Sequence, residues 1–150
     1  MARPLLPHLP LTRRALANGA QGMVARDRSL THAHLCITIA AGYLDEPVAW
    51  PGLAHLLEHA ITTTPLADGS HGLVMWCAEQ GGTLNARTDD YLTDIHVSLP
   101  PPVLADVAYH IAAQMAAPTL RTDVLAREIA AIDAEWRARK HSAGLQRLKA

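Results

Sequence analysis

Pro51-Gly52-Leu53-Ala54-His55-Leu56-Leu57-Glu58-His59-Ala60-Ile61 is the stretch that organises the reading of this 150-residue chain. Proline suits the first position of a helix, so a helix is expected from Pro51 to about Ile61. His55 and His59 then lie four residues apart, one turn along one face. Two imidazoles at that spacing can reach one zinc ion at ~2.0–2.1 Å. At about 100° per residue, His55, Glu58 and His59 fall within a sector of ~100°, with Leu53, Leu57, Ala60 and Ile61 opposite. One face is expected to pack and the other to hold chemistry.

A catalytic zinc usually has three protein ligands and keeps a fourth position for water. The last part of the chain offers Glu128 and Glu135, two turns apart on nearly one azimuth of a helix. That helix is expected from a cap at Thr122 to Arg139 or beyond. Its apolar stripe would be Leu125, Ile129, Ile132 and Trp136, with both glutamates at the stripe's edge.

The segments between these helices supply the fold class. Residues 11–29 read as a hairpin turning at Asn18-Gly19. Residues 32–41 read as a largely buried strand, and Ser70 as a cap for a short helix from Leu73 to Glu79. In the stretch 83–99, Tyr91, Thr93, Ile95, Val97 and Leu99 alternate with Leu92, Asp94, His96 and Ser98, the period of one or two strands. Prolines 100–102 open an apolar helix through about Ala116. This order predicts an α+β domain, a mainly antiparallel sheet with helices packed on one face.

Composition narrows the function. Residues are 49% hydrophobic and 18% charged, which suits a soluble globular domain, and the length suits a single one spanning 1–150. A net charge of −1 offers no electrostatic case for nucleic acid or an anionic membrane surface. The proline-broken start is neither a signal peptide nor a membrane span, so a cytoplasmic protein is expected. Cys36 and Cys77 are too few for a disulfide framework and read as buried free thiols. His32 and His34 have no partner at ligand spacing, and the remaining histidines outside the motif read as surface or structural; His96 shares a strand face with Asp94, from which it could also line the cleft.

Taken together, these residues resemble the pitrilysin/insulinase metallopeptidases, whose inverted zinc motif is H-x-x-E-H. Gly52-Leu53-Ala54 matches the family's lead-in to the first histidine. Gly81-Gly82-Thr83-Leu84-Asn85-Ala86-Arg87-Thr88, followed by Thr93, is similar to its G-G-x-x-N-A-x-T…T stretch. The resemblance covers about residues 12–139 and implies a fold like that of pitrilysin and mitochondrial processing peptidase. It implies zinc held by His55, His59 and Glu135, the last about 76 residues beyond the second histidine. It also implies Glu58 as general base, Glu128 as a supporting glutamate, and Asn85 and Ala86 as holders of a peptide substrate added as a strand.

The sequence departs from the family at Ile61-Thr62-Thr63-Thr64-Pro65, where an aromatic, glycine-containing stretch is usual, and at Ile95, where an aromatic is usual. Asn85-Ala86-Arg87-Thr88 and Thr93-Asp94 are most similar to the branch that serves pyrroloquinoline quinone biosynthesis. Family enzymes carry further homologous domains, so the chain is expected to be a fragment or one subunit needing a second homologous domain. The implied activity is that of a zinc endopeptidase acting on small or unstructured peptides. The alternatives are a non-catalytic or partner-dependent subunit, and a zinc hydrolase of small substrates.

Overall fold

The structure, a computed structural model, describes residues 10–66, 68–118 and 120–147, with side chains as far as residue 138. The chain divides into two units, residues 1–31 and 32–150. In the first, β1 (Leu11–Ala15) pairs antiparallel with β2 (Gln21–Ala25). The turn lies where the sequence puts it: Gly19 takes φ +87°, and the Asn18 side chain accepts from the Ala20 N–H at 3.1 Å. Glycine populates that left-handed region without a Cβ clash.

The second unit holds β3 (Ala33–Ile39), α1 (Leu53–Thr62), α2 (Leu73–Glu79), β4 (Thr83–Thr88), β5 (Thr93–Leu99), α3 (Leu104–Ala116) and α4 (Thr122–Arg147). The three strands form an antiparallel sheet in the order β3-β5-β4. The period-two stretch is therefore a hairpin, and its second strand lies at the centre of the sheet. Ile95, Val97 and Leu99 of β5 are buried with Ile61, Leu73, Cys77, Val107 and Ile111 from the helices. Burying each Leu, Ile or Val side chain contributes ~1.5–3 kcal/mol. The α+β expectation holds: helices cover one sheet face.

Alternation on β3 explains one difference from expectation. Leu35 and Ile37 turn toward the core, but His34, Cys36 and Thr38 are exposed on the opposite face. β3 is thus half-buried, with one face on the core; among the described residues it is an edge strand of its sheet. Cys77 is fully buried, and burial pushes its thiol up to about 11, whereas Cys36 is an exposed free thiol. The expectation of two buried thiols fails at Cys36.

Helix ends differ as well. Gly52, with φ +92°, stands at the N-cap of α1, so Pro51 lies outside the helix. The cap is supplied from a distance: the Glu46 carboxylate accepts from the Gly52 N–H at 2.8 Å and the Ala54 N–H at 2.7 Å. These are orphan donors of a helix start, and a carboxylate there also suits the helix dipole. Ser70 does not cap α2, whose N-cap is Gly72; its hydroxyl donates instead to Asp68 at 2.6 Å.

Candidate active site

α1 presents His55 and Glu58, both buried, and the partly buried His59 toward β4 and α4. Of the side chains expected opposite them, Ala60 and Ile61 are buried, while Leu53 and Leu57 are 41% and 47% exposed. The histidine–glutamate face is therefore the more enclosed one, with β4 and α4 packed alongside it. The two imidazole rings meet edge to face, with centroids 4.8 Å apart.

Both candidate glutamates of α4 reach these rings. Glu135 places one oxygen 3.5 Å from His55 Nε2 and the other 3.8 Å from His59 Nε2. Glu128 lies 2.9 Å from His59 Nδ1. With Nδ1–H donating to Glu128, the Nε2 lone pair of His59 faces Glu135 and His55. A carboxylate behind an imidazole is the usual way a metal-binding tautomer is held. Two nitrogen lone pairs and a carboxylate converging on one point form a donor set that fits zinc.

Glu58 is anchored from the sheet. Thr88, the last residue of β4, donates its hydroxyl to Glu58 Oε2 at 2.6 Å in a buried setting. Thr93, paired with Thr88 across the hairpin, donates to the Ala41 carbonyl at 3.0 Å. A cleft of about 500 Å³ runs along these groups, walled by Asn85, Ala86 and Arg87 of β4 as well as by His55, His59 and Glu135. β4 is an edge strand among the described residues.

The threonine run after His59 closes the helix instead of shaping an aromatic wall. The hydroxyls of Thr62 and Thr63 each donate at 2.8 Å to the carbonyls of Glu58 and His59. Thr64 does the same to Ala60, and Gln114 of α3 donates to the Thr64 carbonyl at 3.1 Å. Threonine satisfies the last carbonyls of the helix by the ordinary i to i−4 hydroxyl bond.

His55, Glu58, His59, Asn85, Ala86 and Glu135 thus line one cleft, and Glu128 stands behind His59. His96 stands apart from the cleft, exposed on the sheet face turned away from the core, opposite Cys36. The apolar stripe of α4 is also not core, since Ile129 and Trp136 are 54% and 55% exposed and wall a groove with Trp50. Glu46 and Thr88 escaped sequence reasoning as site-supporting residues. Thr88 stood in a recognised motif and could have been suspected; Glu46 carried no local signal.

Comparison with known proteins bears on the fold and the family. In solved structures, pitrilysin superposes with a TM-score of 0.78 at 24% identity, over 87% of this chain and 14% of that one. A protease from Helicobacter pylori gives 0.77 at 21% identity, over 87% and 32%. Coenzyme PQQ synthesis protein F of Pseudomonas protegens is 36% identical over 126 residues, 79% of this chain but 15% of its own length. The protein of the same name from Pseudomonas syringae pv. tomato is 32% identical, over 84% and 16%. The insulin-degrading enzyme of Drosophila melanogaster is 26% identical, over 80% and 12%. The chain therefore spans about a sixth of the length of the PQQ synthesis proteins it matches. The family model of insulinase, peptidase family M16, matches residues 23–149, and the chain belongs to that family.

Proposed function

We propose that this chain carries the zinc-dependent endopeptidase site of a larger insulinase-family enzyme that hydrolyses small or unstructured peptides. The observation that carries the reading is the convergence of His55 Nε2 and His59 Nε2 on the two oxygens of Glu135, with Glu128 behind His59. His55, His59 and Glu135 would hold the zinc. When bound, zinc supplies a Lewis acid that polarises a carbonyl and lowers the pKa of water toward ~7.

The chain's own groups do the rest. Glu58 is the general base: Thr88 occupies its Oε2, which leaves the other oxygen to take a proton from water and return it to the departing amine. Glu128 holds His59 in the tautomer whose Nε2 is a lone-pair donor. Asn85 and Ala86, on the edge strand that walls the cleft, position the peptide by strand addition.

The Glu135 side chain is 46% exposed, so the cleft is open on its α4 side. That openness supports a partner-dependent enzyme, in which a second homologous domain or subunit completes the enclosure. Likeness to the PQQ synthesis proteins supports a bacterial peptide-processing role. The same reading has the chain working in the cytoplasm, and the exposed free thiol of Cys36 is compatible with a reducing compartment.

The test is zinc stoichiometry by elemental analysis with Glu135→Gln alongside, followed by cleavage of an internally quenched unstructured peptide. Zinc at the His55/His59 site that is weakened by Glu135→Gln, with peptide cleavage abolished by Glu58→Gln while zinc is retained, is the expected result. Near-normal turnover in zinc-loaded Glu58→Gln would remove Glu58 as base. Peptide binding without cleavage by the zinc-loaded wild type would favour the non-catalytic subunit.

A further inference from the structure

The sheet face turned away from the helices carries chemistry that the peptidase reading does not use. β3 and β5 pair so that Cys36 lies directly opposite His96, with Thr38 opposite Asp94. Alternation along both strands turns all four side chains to the same face. The Cys36 thiol, an Asp94 carboxylate oxygen and a His96 ring nitrogen lie within 4.8 Å of one another.

We propose that Cys36, Asp94 and His96 form a second metal site, suited to a borderline divalent ion such as Zn²⁺. Thiolate and imidazole donors select zinc-like ions over magnesium or calcium. Bond lengths of ~2.0–2.3 Å in a tetrahedral shell put donors about 3.3–3.6 Å apart. Side-chain rotations that draw the three atoms together by about 1 Å therefore close the site, with no change in strand register.

The neighbours permit this. Asp94 Oδ1 already accepts from the Thr38 hydroxyl at 2.7 Å, and a carboxylate has about four lone-pair positions. Thr38 thus stays as the group that orients the ligand. Arg87 approaches Asp94 at 3.2 Å, but it also has Asp89 at 3.6 Å and is largely exposed, so its guanidinium can withdraw to that second partner. His34, two residues before Cys36, walls the same groove of about 240 Å³ with Cys36, Asn85 and His96. It, or a water, completes the fourth position. Asn85 also walls the peptidase cleft, so the two sites adjoin at that residue.

The two sites differ in one spectroscopically decisive respect: the peptidase site has no sulfur donor. The metal-stripped full chain, titrated with Co²⁺ alone, should show a near-ultraviolet thiolate-to-cobalt charge-transfer band in addition to the visible d–d bands. Cys36→Ser should lose that band and keep d–d absorption from the His55/His59 site. His96→Ala should weaken the charge-transfer titration by ten-fold or more. Circular dichroism confirms that each variant is folded. Visible bands without the charge-transfer band in wild type overturn the second site and leave the peptidase site standing. A charge-transfer band that survives Cys36→Ser assigns the sulfur to Cys77 and also overturns the proposal. A charge-transfer band in wild type together with loss of all d–d absorption in Cys36→Ser supports the second site while counting against the first.

Discussion

Thr88 and Glu58 lie 30 residues apart in the chain, yet the threonine hydroxyl meets the glutamate carboxylate at 2.6 Å in a buried hydrogen bond. It joins the end of β4 to the middle of α1 and holds the proposed base in one rotamer. Thr88→Val keeps shape and removes the donor, so peptide turnover should fall by about 10- to 100-fold, the scale expected for a misplaced catalytic group. Zinc content should stay at the wild-type value, and Thr88→Ser should restore most of the rate. Loss of zinc in Thr88→Val would instead make the residue a structural support of the helix.

Glu128 should behave differently. Its contact with His59 Nδ1 supports a proposed ligand and leaves the reacting atoms untouched. Glu128→Ala is expected to weaken zinc affinity by about 10- to 100-fold. Hydrolysis should recover as zinc is added back. Chelator competition measures the first effect, and a zinc titration of activity the second.

Glu46 capping α1 predicts a stability effect at a distance from the chemistry. Removing both of its bonds, to the Gly52 and Ala54 N–H groups, should cost about 1–2 kcal/mol, as for other lost helix caps. Glu46→Ala should therefore unfold at lower urea. An unchanged midpoint would show that water serves these two donors equally well.

Asp94 gives a pH dependence with a definite sign. Its carboxyl is held below the ordinary carboxylate range, first by the Thr38 hydroxyl and then by Arg87, against the opposing effect of burial. A carboxyl with a lowered folded pKa stabilises the fold above its unfolded pKa, and that stability is lost as pH falls through the folded value. The gap in urea midpoint between wild type and Thr38→Val should thus be widest near neutral pH and shrink on acidification below the usual carboxylate range. A gap that grows toward acid would reverse the assignment.

Much of this protein was legible in local pattern. Period-two alternation marked β5, Asn18-Gly19 marked the first hairpin, and the spacing of His55, Glu58 and His59 marked a single helix face. The family resemblance then selected Glu135 and Glu128 on α4, and both reach the histidines. The readings that failed concern surroundings. Leu57, Ile129 and Trp136 have core-like positions on their helices yet lie exposed, because helical period shows which residues share a face and not what covers it. Alternation likewise separates the two faces of β5 without saying which one the helices take, so the side on which His96 stands was open in the sequence.

The sequence by itself therefore determined the secondary structure that carries the site, the residue types on each face, and the family to which the chain belongs. Those are properties of contiguous residues and of motif spacing. Tertiary structure alone decided that β3 pairs with β5, that Glu46 reaches the start of α1, that Thr88 holds Glu58, and that Cys36 faces His96. Each of these depends on strand register or on the packing of one element against another. Bonds and pairings of that kind join residues brought together only when the apolar face of the sheet is buried under the helices, and no local period encodes them.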